Sequence, residues 1–172
     1  MLYRENSSLS NKEKKMDLIP SFQVDHIKLV PGIYESRVDT VGDQFVTTFD
    51  IRMKKPNLEP TLHGNAIHTI EHLIATFLRN DPEWKDKTVY WGPMGCLTGC
   101  YFIVKGRPTP QEILPVMIRA FEFCANFEGD IPGAKPDECG NYLFQDLPTA
   151  KWEASKYLEV LKNNPCFEYP KK

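Results

Sequence analysis

No stretch of this chain approaches the ~18 consecutive apolar residues that a membrane-spanning helix needs, so no membrane partner is expected. Basic clusters are missing too. The 172 residues carry 21 Lys and Arg against 23 Asp and Glu, a formal charge of -2. Lys171 and Lys172 alone make no phosphate-binding stripe, which argues against nucleic acid as a partner. The first sixteen residues, MLYRENSSLSNKEKKM, are polar and charged where a signal peptide has an apolar core. The five cysteines (Cys96, Cys100, Cys124, Cys139, Cys166) form an odd set, which speaks against a disulfide framework. A cytoplasmic protein with free thiols is the expectation. There is no repeat, no low-complexity tract and no glycine fingerprint for a nucleotide. Histidine is scarce as well, at four residues, which makes its placement informative.

Two of the four stand in His68-Thr69-Ile70-Glu71-His72, inside an apolar stretch of helical period. On a helix those imidazoles and the carboxylate between them share one face. Two His four apart can grip one divalent metal through ring nitrogens, with the Glu held near an open coordination position as a proton-transfer group. The order is HxxEH, the inverted zincin pattern. The bland reading is a helix whose two His happen to face a polar groove; with four His in the whole chain, a metal site is the better one.

Along the chain, residues 1–16 mix Ser, Asn, Lys and Glu with few apolar anchors, which predicts a disordered extension before a single domain over 17–172; Met16 could itself serve as a start. From Gln44, Phe45, Thr47, Phe49, Ile51 and Met53 alternate with Val46, Thr48, Asp50 and Arg52, predicting a half-buried strand with Arg52 off the core face. Asn65 is a candidate N-cap for a helix whose buried stripe is Ile67, Ile70, Ile74 and Phe77, closed by Asp81 and Pro82. Thr88 to Trp91 and Leu97 to Val104 predict strands. Thr109-Pro110-Gln111-Glu112 has the capping-box form for a helix to about Phe127, kinked or delayed by Pro115. Glu128 to Gln145 reads as a long loop, and Pro148 to Asn163 as a last helix on Ala154, Tyr157, Leu158 and Leu161. The whole is an α+β arrangement, a single compact domain with a mostly antiparallel sheet packed against helices.

Two His leave a tetrahedral ion one protein ligand short if a position is to stay open for substrate. Cys139, in the loop Pro136-Asp137-Glu138-Cys139-Gly140, is the strongest candidate, because flanking Gly and Pro let a thiolate be aimed freely; Glu138 and Asp137 are rivals. Cys96, at a strand entrance beside Gly95, reads either as a general base activated by nearby positive potential or as a buried strand cysteine. Cys100 and Cys124 fit the second description better, since apolar residues surround both.

With these residues assembled, the chain resembles the S-ribosylhomocysteine lyase family, which makes the precursor of the autoinducer-2 class of quorum-sensing molecules. The resemblance runs from about Ser21 to Thr149 through SFQVDH (Ser21–His26), FDIR (Phe49–Arg52), HTIEH, PMGCLTG (Pro93–Gly99) and Cys139-Gly140. It implies a homodimer with two interfacial active sites and one divalent metal per subunit, Fe(II) in the cell and Zn(II) or Co(II) as substitutes, held by His68, His72 and Cys139. It further implies Cys96 and Glu71 as the acid/base pair and Ser21, His26, Arg52 and Arg79 as contacts to S-ribosylhomocysteine, with Ser21 and His26 reaching in from the neighbouring subunit. The chain departs from the family where many relatives carry an acidic residue, a Ser and an aromatic and this one has Tyr90, Gly92 and Cys100. The rival readings are a small HxxEH metallopeptidase and a module in which the ion only braces the fold.

Overall fold

A computed structural model describes Asp17 and residues 19–171; the extension expected over residues 1–16, with Met16, lies outside the described residues. In chain order the elements are α1 (Pro20–Gln23), β1 (Gly32–Val41), β2 (Gln44–Arg52), α2 (Gly64–Asn80), β3 (Thr88–Pro93), β4 (Gly99–Lys105), α3 (Pro110–Asn126) and α4 (Leu147–Asn163). The strands form one sheet of order β1-β2-β4-β3, antiparallel at every pairing. The expected α+β class is what the chain adopts. None of its described helices is long and apolar enough to cross a membrane.

Alternation along the strands divides the sheet into two unlike faces. Phe49 and Ile51 of β2 with Cys100, Phe102 and Val104 of β4 pack against Ile67, Ile70 and Ile74 of α2, and the same core takes in Val116, Met117, Phe121, Tyr157 and Leu161 from α3 and α4. Asp50, Arg52 and Tyr101 stand on the opposite face and line a cavity there. The strand expected to be half-buried is therefore covered on both sides at its C-terminal end, where Asp50 is 2% and Arg52 4% exposed. The cover comes from segments remote in sequence, Ser21 to His26 and Tyr169.

Several boundaries differ from expectation for local reasons. Asn65 is not the N-cap of α2: His63 holds that place without a side-chain bond, and the Asn65 side chain accepts from the Ala66 N–H instead. β4 begins at Gly99 and not at Leu97, because Leu97 turns back with φ 55° and donates its N–H to the Met94 carbonyl. Gly99 lies so close to the Ile51 backbone that a Cβ there would collide with its carbonyl, which pins this turn against the end of β2. The Thr109–Glu112 capping box is present and α3 runs unbroken past Pro115, so the helix does not start late.

Candidate active site

The α2 helix delivers His68, Glu71 and His72 to one face while its apolar stripe stays in the core. His68 Nδ1 lies 2.7 Å from the Phe144 carbonyl and His72 Nδ1 2.7 Å from the Pro132 carbonyl. A carbonyl only accepts, so each Nδ1 is the protonated donor and each Nε2 keeps its lone pair. Those two Nε2 atoms face each other at 3.1 Å, and Cys139 Sγ sits 3.5 Å from the His68 Nε2. Two lone pairs and a sulfur directed into one space repel unless a cation lies among them, so this donor set fits a divalent metal. The paired carbonyls fix both rings in the ligating tautomer, the usual outer partners of metal-bound imidazole. The loop comes this close because Gly133, at φ 73°, carries no Cβ against the His72 ring.

These three residues are the metal-competent group among the described residues. Of the rival third ligands, Glu138 forms a surface ion pair with Lys135 at 3.5 Å and neither it nor Asp137 joins the group. Glu71 has no hydrogen-bond partner among the described residues; its charge is felt at Tyr90 and Cys100, whose ionisation it opposes after the larger effect of burial. Glu71 thus stands unengaged beside two metal-competent imidazoles and outside their group.

Ser21, His26, Arg52 and Cys96 are gathered elsewhere, around a cavity of about 180 Å³ that the metal-competent trio does not line. Arg52 is the hub of this group. Its Nη2 donates to Asp50 Oδ2 at 2.5 Å, and its Nη1 donates to Thr98 Oγ1 and lies 3.8 Å from Cys96 Sγ. Burial opposes the guanidinium's charge, but the Asp50 carboxylate outweighs it and holds Arg52 cationic beyond its ordinary range. Cys96 is exposed, with its Sγ 3.1 Å from Thr98 Oγ1, so its sulfur stands open to a ligand in this cavity. Cys100 and Cys124 are unsuited to such work: burial pushes both thiols up, Cys124 to about 12. His26 donates Nδ1–H to the Val24 carbonyl at 2.9 Å, leaving its Nε2 free.

Arg79 joins neither group; it donates to the Thr88 and Val89 carbonyls at 2.8 and 2.9 Å and ties the end of α2 to β3. Tyr90 and Gly92 meet in space: the Tyr90 hydroxyl occupies the space a Cβ at residue 92 would need. Sequence reasoning missed Asp50, Thr98 and Tyr169, each of which bonds into the Arg52 group.

Comparison with known proteins gives a consistent picture. The sequence matches the family described as S-ribosylhomocysteinase (LuxS) over residues 19–166. An S-ribosylhomocysteine lyase of Phocaeicola vulgatus is 61% identical over 149 residues, covering 86% of this chain and 92% of the relative. One from Porphyromonas gingivalis is 58% identical over 147 residues, covering 85% and 92%. One from Clostridium beijerinckii is 52% identical over 149 residues, covering 86% and 94%.

Proposed function

The chain belongs to the S-ribosylhomocysteinase (LuxS) family, and from that premise we propose how its residues divide the work of an S-ribosylhomocysteine lyase. The protein is a carbon–sulfur lyase that cleaves S-ribosyl-L-homocysteine to L-homocysteine and 4,5-dihydroxy-2,3-pentanedione. The relatives give no support to a peptidase. The observation that carries the site assignment is the pair of imidazole Nε2 atoms turned toward each other at 3.1 Å with a thiol beside them.

Breaking this thioether requires the sugar carbonyl to migrate from C1 to C2 to C3, after which the C4 proton is acidic and homocysteine leaves C5 by β-elimination. Every stage removes a proton beside a carbonyl and returns one elsewhere. Held by His68, His72 and Cys139, a divalent cation, Fe(II) in our reading with Zn(II) or Co(II) as substitutes, supplies Lewis acidity toward the sugar carbonyl. The protein's own groups then move the protons. Cys96, beside the Arg52 guanidinium, takes and returns protons at carbon, and Glu71 shuttles them between the sugar oxygens. Ser21, His26 and Arg52 orient the substrate from one side of the cavity. Arg79 spends two of its five N–H donors on β3 and keeps the rest for the substrate.

The cavity that gathers Ser21, His26, Arg52 and Cys96 is not lined by His68, His72 or Cys139, which supports a working site completed by a second copy. The family resemblance sends Ser21 and His26 into the neighbouring subunit's site, and because Arg52 and Cys96 line the same cavity as those two, all four cross together. The sheet face away from the helices supplies the dimer contact. It carries Tyr101, Ile103 and Tyr90 with Ile19 and Pro20 around a second cavity of about 340 Å³, and Tyr90, Ile19 and Phe22 expose large apolar side chains beside it. We place the enzyme in the cytoplasm, where five unpaired thiols persist.

Mixed dimers test this division. Cys96→Ala and Cys139→Ala are each expected to be inactive alone. After subunit exchange, each mixed dimer holds one intact site, so activity returns to about a quarter of the unmodified enzyme, as a two-fold dimer requires. Absence of recovery, with exchange verified by mass spectrometry, would put Cys96 and the metal ligands to work in the same chain.

A further inference from the structure

The chain that follows α4 does not trail away from the protein. It runs back to the start of β1, where the Ile33 N–H donates to the Cys166 carbonyl at 2.9 Å and Gly32 pairs with Cys166 in a parallel bridge. Only glycine fits at residue 32, since a Cβ there would collide with the Cys166 carbonyl. Beyond this bridge the Tyr169 ring stacks on the fully buried Tyr34, with centroids 4.7 Å apart and planes 10° from parallel. The stack carries the Tyr169 hydroxyl under the sheet end to Asp50, where it donates to Oδ2 at 3.0 Å. Tyr169 thereby lines the same cavity as Ser21, His26, Arg52 and Cys96. It lies past residue 166, where the family match ends.

Asp50 depends on that hydroxyl. Its carboxylate is 2% exposed, its Oδ1 is buried with no partner among the described residues, and its Oδ2 is held by Arg52 and Tyr169 alone. The other end of the same guanidinium points at Thr98 and Cys96. A continuous set of bonds thus runs from the C-terminal segment to the thiol. We propose that Tyr169 is a positioning residue of the lyase, its hydroxyl fixing Asp50 and, through Asp50, the Arg52 guanidinium that faces Cys96 and substrate. With the hydroxyl removed, a buried carboxylate keeps a single fastener, and the guanidinium it holds gains freedom to turn away from the substrate. The inference rests on the reading of Arg52 as a substrate contact.

Tyr169→Phe is the direct test, because it keeps the ring on Tyr34 and deletes only the hydroxyl. In the full-length, metal-loaded enzyme KM for S-ribosylhomocysteine is expected to rise about tenfold, the size of one hydrogen bond to a charged group. The same variant should keep kcat and metal content. Asp50→Asn with Tyr169→Phe should be no worse than Asp50→Asn alone, since both changes interrupt one route; additive losses would overturn that route. A lowered melting temperature with unchanged KM would make Tyr169 a brace for the tail and overturn the inference, and this single variant suffices should Asp50→Asn fail to fold. Arg52→Lys separates the two layers of the argument. Raised KM there beside unchanged kinetics in Tyr169→Phe would overturn the inference alone, whereas unchanged kinetics in both would overturn the reading of Arg52 and the inference with it.

Discussion

Cys139→Ala is expected to leave the protein folded and stripped of metal, with turnover below about 1% of the unmodified enzyme. The reasoning is a count of donors. Without the thiolate only two imidazoles remain, and two neutral nitrogens are too few to hold a labile divalent ion through purification. Even partners that merely orient a ligating histidine are worth about 10–100-fold in metal affinity, so loss of a ligand itself should cost at least that much. Metal analysis after gel filtration reads the outcome, and the unfolding curve guards against trivial misfolding. The loop should survive, because its hold on α2 is made by backbone: the Phe144 and Pro132 carbonyls bond the two rings independently of the sulfur. Full metal content in this variant would hand the third position to Asp137 or Glu138.

Cys96→Ala and Glu71→Gln should show the opposite combination, metal retained and turnover lost by about 10²–10⁴-fold, the usual weight of a general acid or base. Neither side chain belongs to the metal-competent group. For Cys96 the choice of thiol is made by its surroundings. It is exposed and within 3.8 Å of a guanidinium held cationic by Asp50, while burial keeps Cys100 and Cys124 protonated. For Glu71 the argument is position: it stands on the helix face of the two metal-competent histidines, with no hydrogen bond of its own among the described residues to surrender. Rapid quench with S-ribosylhomocysteine should show substrate bound and unconverted in both variants. Equal metal loss in the Cys96 and Cys139 variants would refute the separation of roles.

The sequence made the metal half of this site legible and left much of the other half hidden, for a physical reason. A helix spaces its side chains at a fixed period, so His68, Glu71 and His72 declare themselves within about one turn, and the fold brings a Gly/Pro-flanked loop cysteine beside the two histidines. The Arg52 group has no such local period. Asp50 looks like any outward residue of an alternating strand, and only the fold brings it Tyr169 from 119 positions away. Thr98 is equally plain until the Leu97 turn aims it at Arg52. Among the elements, β2, α3 and α4 were plain because periodicity and caps agreed, whereas β1 escaped notice. Its pairing with β2 slips between Glu35 and Arg37, and a bulge there destroys the alternation by which a strand is recognised.

X-ray absorption at the metal edge of anaerobically purified protein tests the central claim most directly. The expected spectrum contains one sulfur at about 2.3 Å for a zinc-loaded sample, two imidazoles and a light-atom position that changes on adding S-ribosylhomocysteine. A shell without sulfur, or one with four protein donors that the substrate leaves unaltered, would contradict the assignment of His68, His72 and Cys139 as an open catalytic centre.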